Sequence, residues 1–286
     1  IHTRIGDGCV GANVDGKRVP LWTRLRNGQS VEIITAKGQK PQAAWKDLAV
    51  TGKAKTAIRR SLKTEYRDNF LRLGEEFANF ASEFGGIVGI IASNQEKLKA
   101  VAGKLKNCSV ITYTCDFTNQ EEVDALISEL QSDFKKVDVL INNASKFYPT
   151  NMKMINEKNW NDLIDTNLKT PLFLSKVFKD ELKKRKGSII NIIDIHADPP
   201  LKDHIIYNIS KAGLLSLTKT LAKDLAPHVK VNGVSPGAIM WPKQDLSNKK
   251  KQNEILSRIP LKRAGVPNDI AKAVLFLIEH SDYVTG

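Results

Sequence analysis

From Gly85 onward, short and nearly continuous apolar runs alternate with amphipathic stretches, and this rhythm constrains the fold more than any other feature. The strand-like runs are IVGIIAS (87–93), SVITYTCD (109–116), VDVLINNAS (137–145), SIINIID (188–194) and VKVNGVSPG (229–237). Between them, apolar residues recur at three- and four-residue spacing, the period of a helix with one buried face. A strand that is apolar on both faces must be covered on both faces. The pattern therefore predicts an α/β fold, a doubly wound (Rossmann-like) parallel sheet with helices on either side. Ligands of such sheets bind beyond the carboxyl ends of the strands, so the informative residues are those where each run stops.

Tyr207 and Lys211, in YNISK, stand four apart on a predicted helix and so share a face one turn apart. A free phenol ionises near pH 10, and a neighbouring ammonium favours the phenolate, which makes the pair a usable general acid/base. Asp194 ends the run SIINIID, INNAS (141–145) ends another, and VSPGAI (234–239) ends a third. Asn167 lies in the helical stretch DLIDTNL. All these groups are expected at one sheet edge.

Together these residues resemble the short-chain dehydrogenase/reductase family over roughly residues 72–286. The resemblance implies that Asn143, Ala144 and Ser145 line the cofactor, that Tyr207 and Lys211 carry the proton transfer, and that Asn167 holds a water relay near the lysine. Most members have Ser where this chain has Asp194, thirteen residues (207 − 194) before the tyrosine. Asp at that position resembles the pteridine reductases, as do NNASKFYPT, IIDIHADPPLKDHIIYNISKAGL and IPLKRAGVPNDIAKAVLFL. That likeness implies Phe147 stacked on a pterin ring, Ser145 touching cofactor and substrate, and Asp194 bonded to Tyr207. It also implies Asp116 at the adenine, and Pro236 and Gly237 against the cofactor. A homo-oligomer is expected, since family members commonly form one.

The strand IVGIIASNQEKL lacks the terminal acid that would take a ribose 2′-hydroxyl, which points away from NAD. Ser93, Asn94 and Lys97 are candidates for a 2′-phosphate, so the expected cofactor is NADPH and the expected substrate a pteridine or dihydrofolate-like molecule. Cys9, Cys108 and Cys115 are odd in number and widely spaced. They point to a reducing cytoplasm and away from a disulfide framework or metal site. No apolar run reaches the roughly 18–20 residues that cross a bilayer.

Residues 1–45 have a different style. CVGANVDGKRVPL carries an Asp15-Gly16 hairpin signal and LRNGQSVEIITAKG an Asn-Gly turn, together predicting a small β unit. From Pro41 to about Phe84 the pattern becomes helical. The segment from Ile1 to about Gly74 is similar to the TGS domain, a β-grasp module, of Rel-type ppGpp synthetase/hydrolases. That resemblance implies contact of His2 with the tRNA 3′ end on the ribosome. It fits the net charge of +13 and the basic stretch Lys53, Lys55, Arg59, Arg60, Lys63, Arg67 and Arg72. The competing reading is a tRNA- or ribosome-facing module carrying an inert reductase remnant.

The stretch AVTGKAKTAIRR imitates a nucleotide loop, but no glycine follows Gly52 until Gly74. Thr51 to Gly86 spans 35 residues (86 − 51), where one connecting helix needs only about 20. Arg72-Leu73-Gly74, a single helix before the run IVGIIAS, resembles instead the end of a phosphate loop and carries the expected cofactor contacts Arg72 and Gly74. The sheet is expected to lack its usual first and last strands, as in a chimera joined near LRLGEE. The expected domains are 1–46 (TGS-like), 47–74 (basic helical linker) and 75–286 (reductase).

Overall fold

In the computed structural model, which describes residues 6, 8–21, 23–36, 41, 45–83, 86–105, 108–239 and 249–286, the chain divides into two units. One comprises Ile1–Asp68 and Trp241–Ala264, the other Asn69–Met240 and Gly265–Gly286.

The first unit holds β1 (Cys9–Val14), β2 (Lys17–Val19) and β3 (Val31–Thr35), in the order β2-β1-β3 with both pairs antiparallel. Asp15 and Gly16 turn β1 into β2 with φ of 49° and 77°, the left-handed pair that a two-residue hairpin requires. The Asp15 carboxylate accepts from Ser30 N at 2.9 Å and Gln29 Nε2 at 3.0 Å. The second turn signal behaves differently. Gly28 does take φ 83°, but residues 23–26 form no strand, and β3 pairs with β1 instead.

After α1 (Trp45–Leu48), a single helix of 32 residues, α2 (Gly52–Glu83), runs without a break. Arg72-Leu73-Gly74 therefore lies inside a helix, which corrects the expectation of a surviving phosphate loop. Ala, Leu, Lys, Arg and Glu dominate the segment and it contains no proline, so helix propagation carries through one glycine at a cost of only about 1 kcal/mol.

Among its described residues, the second unit holds five parallel strands in two pieces: β4 (Ile87–Ala92) with β5 (Ser109–Thr114), and β6 (Val139–Asn142), β7 (Ser188–Ile192) and β8 (Lys230–Val234) in that order. The helices are α3 (Gln95–Ala102), α4 (Gln120–Asp133), α5 (Glu157–Ile164), α6 (Thr170–Arg185), α7 (Ile205–Leu225) and α9 (Pro267–Glu279); α8 (Lys249–Arg258) falls in the first unit. Every residue of β7 is buried. Ile189 and Val231 face a cluster built from Leu126 and Leu130 of α4, Leu174, Phe178 and Leu182 of α6, and Leu225 of α7. Ile190 and Ile192 face the other way, onto Leu73 and Phe77 of α2 and Ile270 and Val274 of α9, as the two-residue period of a strand demands. Ile91 of β4 and Leu140 of β6 both lean on the first cluster, so one helical layer covers both pieces. No described strand pairs β4 with β6, and Ile87 of β4 is 60% exposed.

Candidate active site

Strand β6 ends at Asn142, whose amide donates to Asn191 of β7 at 2.8 Å; Asn191 in turn donates to Thr218 of α7 at 2.8 Å. The chain then crosses the strand ends as a strap, residues 143–150. Asn167 grips it: its Oδ1 accepts from Ser145 Oγ at 3.2 Å and Lys146 N at 2.8 Å. Its Nδ2 donates to Lys146 O at 2.9 Å and to Ser210 Oγ at 3.0 Å. Asn167 sits not in α-helix but in one π-helical turn, Asp165–Lys169, between α5 and α6. Such turns re-aim a side chain out of helical register.

The strap is also tied by charge. Lys146 Nζ lies 2.7 Å from Asp162 and 3.6 Å from Asp116, and the Tyr148 hydroxyl donates to Asp162 at 2.7 Å. Because Asp116 follows β5 and Lys146 follows β6, the carboxyl ends of both sheet pieces lie on one side. At the far end, Thr150 N donates to Asp203 O and Thr150 Oγ1 accepts from Ile206 N at 3.1 Å, which joins the strap to the start of α7.

Tyr207 and Lys211 project from α7 into the interior, 0% and 1% exposed. The Tyr207 hydroxyl donates to Asp194 Oδ2 at 2.6 Å, and Asp194 Oδ1 accepts from His196 N at 2.8 Å. Lys211 Nζ donates to Ile192 O at 2.9 Å and stands 5.9 Å from the centre of the Tyr207 ring. Burial pushes the Lys211 ammonium down to about 8, against the opposing pull of Asp194. The phenol does not follow the sequence expectation of a lowered pKa. Burial first, then the charge and hydrogen bond of Asp194, push Tyr207 well above its ordinary value. The resting site thus holds a neutral phenol that keeps its proton and directs it to the Asp194 carboxyl group.

Phe147 meets Tyr207 edge-on at 4.6 Å between ring centres and stacks on His204 at 4.8 Å. Burial holds the His204 imidazole below its ordinary pKa, so it is a neutral ring near pH 7. One face of Phe147 is therefore taken by a ring of the chain itself. The polar groups of Asn94 and Asp116 are turned to their own chain. Asn94 caps α3 by accepting from Lys97 N at 2.9 Å, and Asp116 accepts from Thr118 N at 3.1 Å and Thr118 Oγ1 at 2.9 Å. Pro236 O accepts from Ile195 N at 3.2 Å, beside Asp194, and Gly237 lies against Ile195. Ser93 follows β4 directly. Ser145, Phe147, Asn167, Asp194, Tyr207 and Lys211 are thus linked at one site. Arg72 is exposed on α2, while Gly74 packs against Asn143. His2 lies outside the described residues.

Lys146, Asp162, Ser210 and His204 escaped the sequence reading. Nothing in their local pattern marks them; only the crossing of the strap over α5 and α7 brings them together. Among the described residues, no group of three or more His, Cys, Asp or Glu could hold a metal ion, and no helix is long and apolar enough to cross a membrane.

A nicotinamide nucleotide fits this site in one half. The buried Lys211 ammonium, the Tyr207 hydroxyl and the strap at Asn143–Ser145 bring together polar groups of the chemistry that a nicotinamide ribose requires. Among the described residues, α2 is closed helix at Arg72-Leu73-Gly74, where the diphosphate half would be expected to find free backbone N–H groups.

Residues 73–286 match the family described as enoyl-(acyl carrier protein) reductase, and residues 1–35 match the TGS domain. The chain is 35% identical over 217 residues to the 3-oxoacyl-[acyl-carrier-protein] reductase FabG of Rickettsia typhi, covering 75% of this chain and 88% of the relative. It is 34% identical over 221 residues to that of Staphylococcus epidermidis, covering 76% and 88%. Among solved structures, it resembles the L-sorbose reductase of Gluconobacter frateurii complexed with NADPH and L-sorbose. The TM-score is 0.67 at 26% identity, over 75% of this chain and 87% of that one. An apo SCOR enzyme of Clostridium thermocellum matches with a TM-score of 0.65 at 28% identity, over 74% and 84%.

Proposed function

The chain belongs to the short-chain dehydrogenase/reductase family of oxidoreductases, and from that premise we propose that its second unit reduces a pteridine or dihydrofolate-like substrate with NADPH. The observation that carries this reading is the 2.6 Å bond from Tyr207 to Asp194, with Phe147 edge-on to the same phenol. A planar C=N substrate needs a proton donor at its ring nitrogen and an aromatic wall beside it, and this corner offers both.

Reduction of a C=N bond adds a hydride and a proton. The hydride is the chemistry that NADPH supplies when bound. The residues that would hold it are Asn143, Ala144, Ser145, Lys211, Pro236 and Gly237 near the nicotinamide; Ser93, Asn94 and Asp116 stand where the adenosine end would lie, the last two with their polar groups turned to their own chain. Tyr207 gives its proton to the substrate nitrogen. The phenolate left behind is stabilised by the Lys211 ammonium nearby and takes a proton back from solvent water, for which Asn167 would hold a relay near the lysine. Asp194, which accepts from the Tyr207 hydroxyl at 2.6 Å, would help pass the proton to the ring nitrogen. A homo-oligomer, the common state of the family, is part of this reading.

Incubating the purified chain with NADPH and a dihydropteridine, and following loss of NADPH absorbance, tests the proposal. Turnover that vanishes in Tyr207→Phe supports it. Turnover of a 3-oxoacyl thioester with none of the dihydropteridine overturns the substrate assignment.

The TGS match favours a second role for the first unit. Residues 51–68 of that unit carry six basic side chains against Glu65 and Asp68, a balance suited to RNA phosphates. We propose tRNA or ribosomal RNA as its partner; tRNA binding that is insensitive to salt would overturn this.

A further inference from the structure

Doubly wound sheets seat a diphosphate at a helix N-terminus beyond the central strand, where free backbone N–H groups face the anion. The corresponding place here lies between β4 and β6, where no described strand pairs with either neighbour. The segment leading to β4 is α2, and Gly74 is the twenty-third of its 32 residues. Inside a helix, each N–H is spent on the carbonyl four residues earlier. The amides of residues 72–76 are thus turned to residues 68–72, with none to offer an anion.

Gly74 has a different use. A Cβ on Gly74 would come within 3.2 Å of Asn143 Nδ2, so its smallness lets the helix lie against the end of β6. Leu73 and Phe77 anchor the same helix face on Ile190 and Ile192 of β7, which opposes unwinding at this point. At the adenosine end, Asn94 and Asp116 already serve their own chain, as N-cap and loop clasp. The buried polar groups of the site are concentrated instead around Lys211, Tyr207 and Ser145.

We infer that this chain recognises the nicotinamide ribonucleotide half of its coenzyme and gains little from the diphosphate and adenosine, so that a reduced nicotinamide mononucleotide binds nearly as well as NADPH. The inference rests on the reductase reading above and deepens it. A diphosphate held by even two charge-assisted backbone bonds would separate the two ligands by roughly 100-fold or more.

The test is fluorescence titration of the full chain with NADPH and, separately, with reduced nicotinamide mononucleotide, repeated on Lys211→Met. The expected result is a pair of dissociation constants within about tenfold of each other, both weakened by the substitution. NADPH binding more than about tenfold tighter overturns the inference while leaving the reductase reading intact. Mononucleotide binding that survives Lys211→Met unchanged also overturns it, because the ligand then sits elsewhere. If neither nucleotide binds, the reductase reading itself falls and takes the inference with it.

Discussion

Tyr207 and Asp194, thirteen residues apart (207 − 194), meet through a 2.6 Å hydrogen bond between helix α7 and the end of β7, with the phenol wholly buried. The carboxylate contributes to the raised pKa of the phenol through both its charge and its acceptance of the proton. Asp194→Asn removes the charge but keeps a polar group of the same shape. The phenol of that variant should ionise at a lower pH than in the wild type. Ultraviolet difference titration, with Tyr207→Phe subtracted, reads this directly. An unmoved or upward midpoint would show that burial alone sets the phenol.

Lys211 is fully buried and holds its proton only to about pH 8, against 10.5 for a free lysine. Between these values the unfolded chain binds a proton that the native chain does not, so stability rises with pH. From about pH 7.5 to 9 the gain should be about 1 kcal/mol, and Lys211→Met should lack it. Urea midpoints of both proteins at the two pH values measure the difference. The buried Cys115 thiol, pushed up to about 11, acts in the opposite sense above pH 9 but equally in both proteins. Identical pH slopes would contradict the prediction.

Asn167 makes four hydrogen bonds from a side chain that is 1% exposed. Asn167→Ala strands the Lys146 backbone and the hydroxyl of Ser145 without their partner. A loss of about 2–4 kcal/mol in urea unfolding is expected. The strap should loosen before the sheet, so hydrogen exchange at residues 144–150 should rise more than at β7. Uniform exchange across the unit would count against a local role.

Phe147 lies between Tyr207 and His204, with one face already stacked. If the other face supports a planar substrate, Phe147→Ala should raise KM for a dihydropteridine about tenfold while leaving nucleotide affinity unchanged. A fall in kcat at constant KM would assign the ring to positioning Tyr207 instead.

The five parallel strands were legible because each is announced locally, by a run of apolar β-branched residues and its stop. The Asp15-Gly16 turn was legible because only a left-handed pair closes so short a hairpin. The i,i+4 spacing of Tyr207 and Lys211 survived folding unchanged, since a helix carries its own geometry. By contrast, Arg72-Leu73-Gly74 read as a loop because three residues imitate a motif, while helix propagation depends on the thirty residues around them. The π turn at Asn167 left no trace in the pattern DLIDTNL. Its register depends on the strap that Asn167 holds and on Thr170, whose hydroxyl donates back to Asp165 O at 2.8 Å.

By itself, the sequence determined the α/β class, the small β unit ahead of it, and which side chains stand at the strand ends. These depend on periodicity and turn chemistry within a few residues. The tertiary structure alone decided that the phenol is raised rather than lowered, that Lys146 clasps two carboxylates, and that helix fills the place of a phosphate loop. Those outcomes depend on burial and on partners dozens of residues away, where desolvation and long-range contacts outweigh anything local.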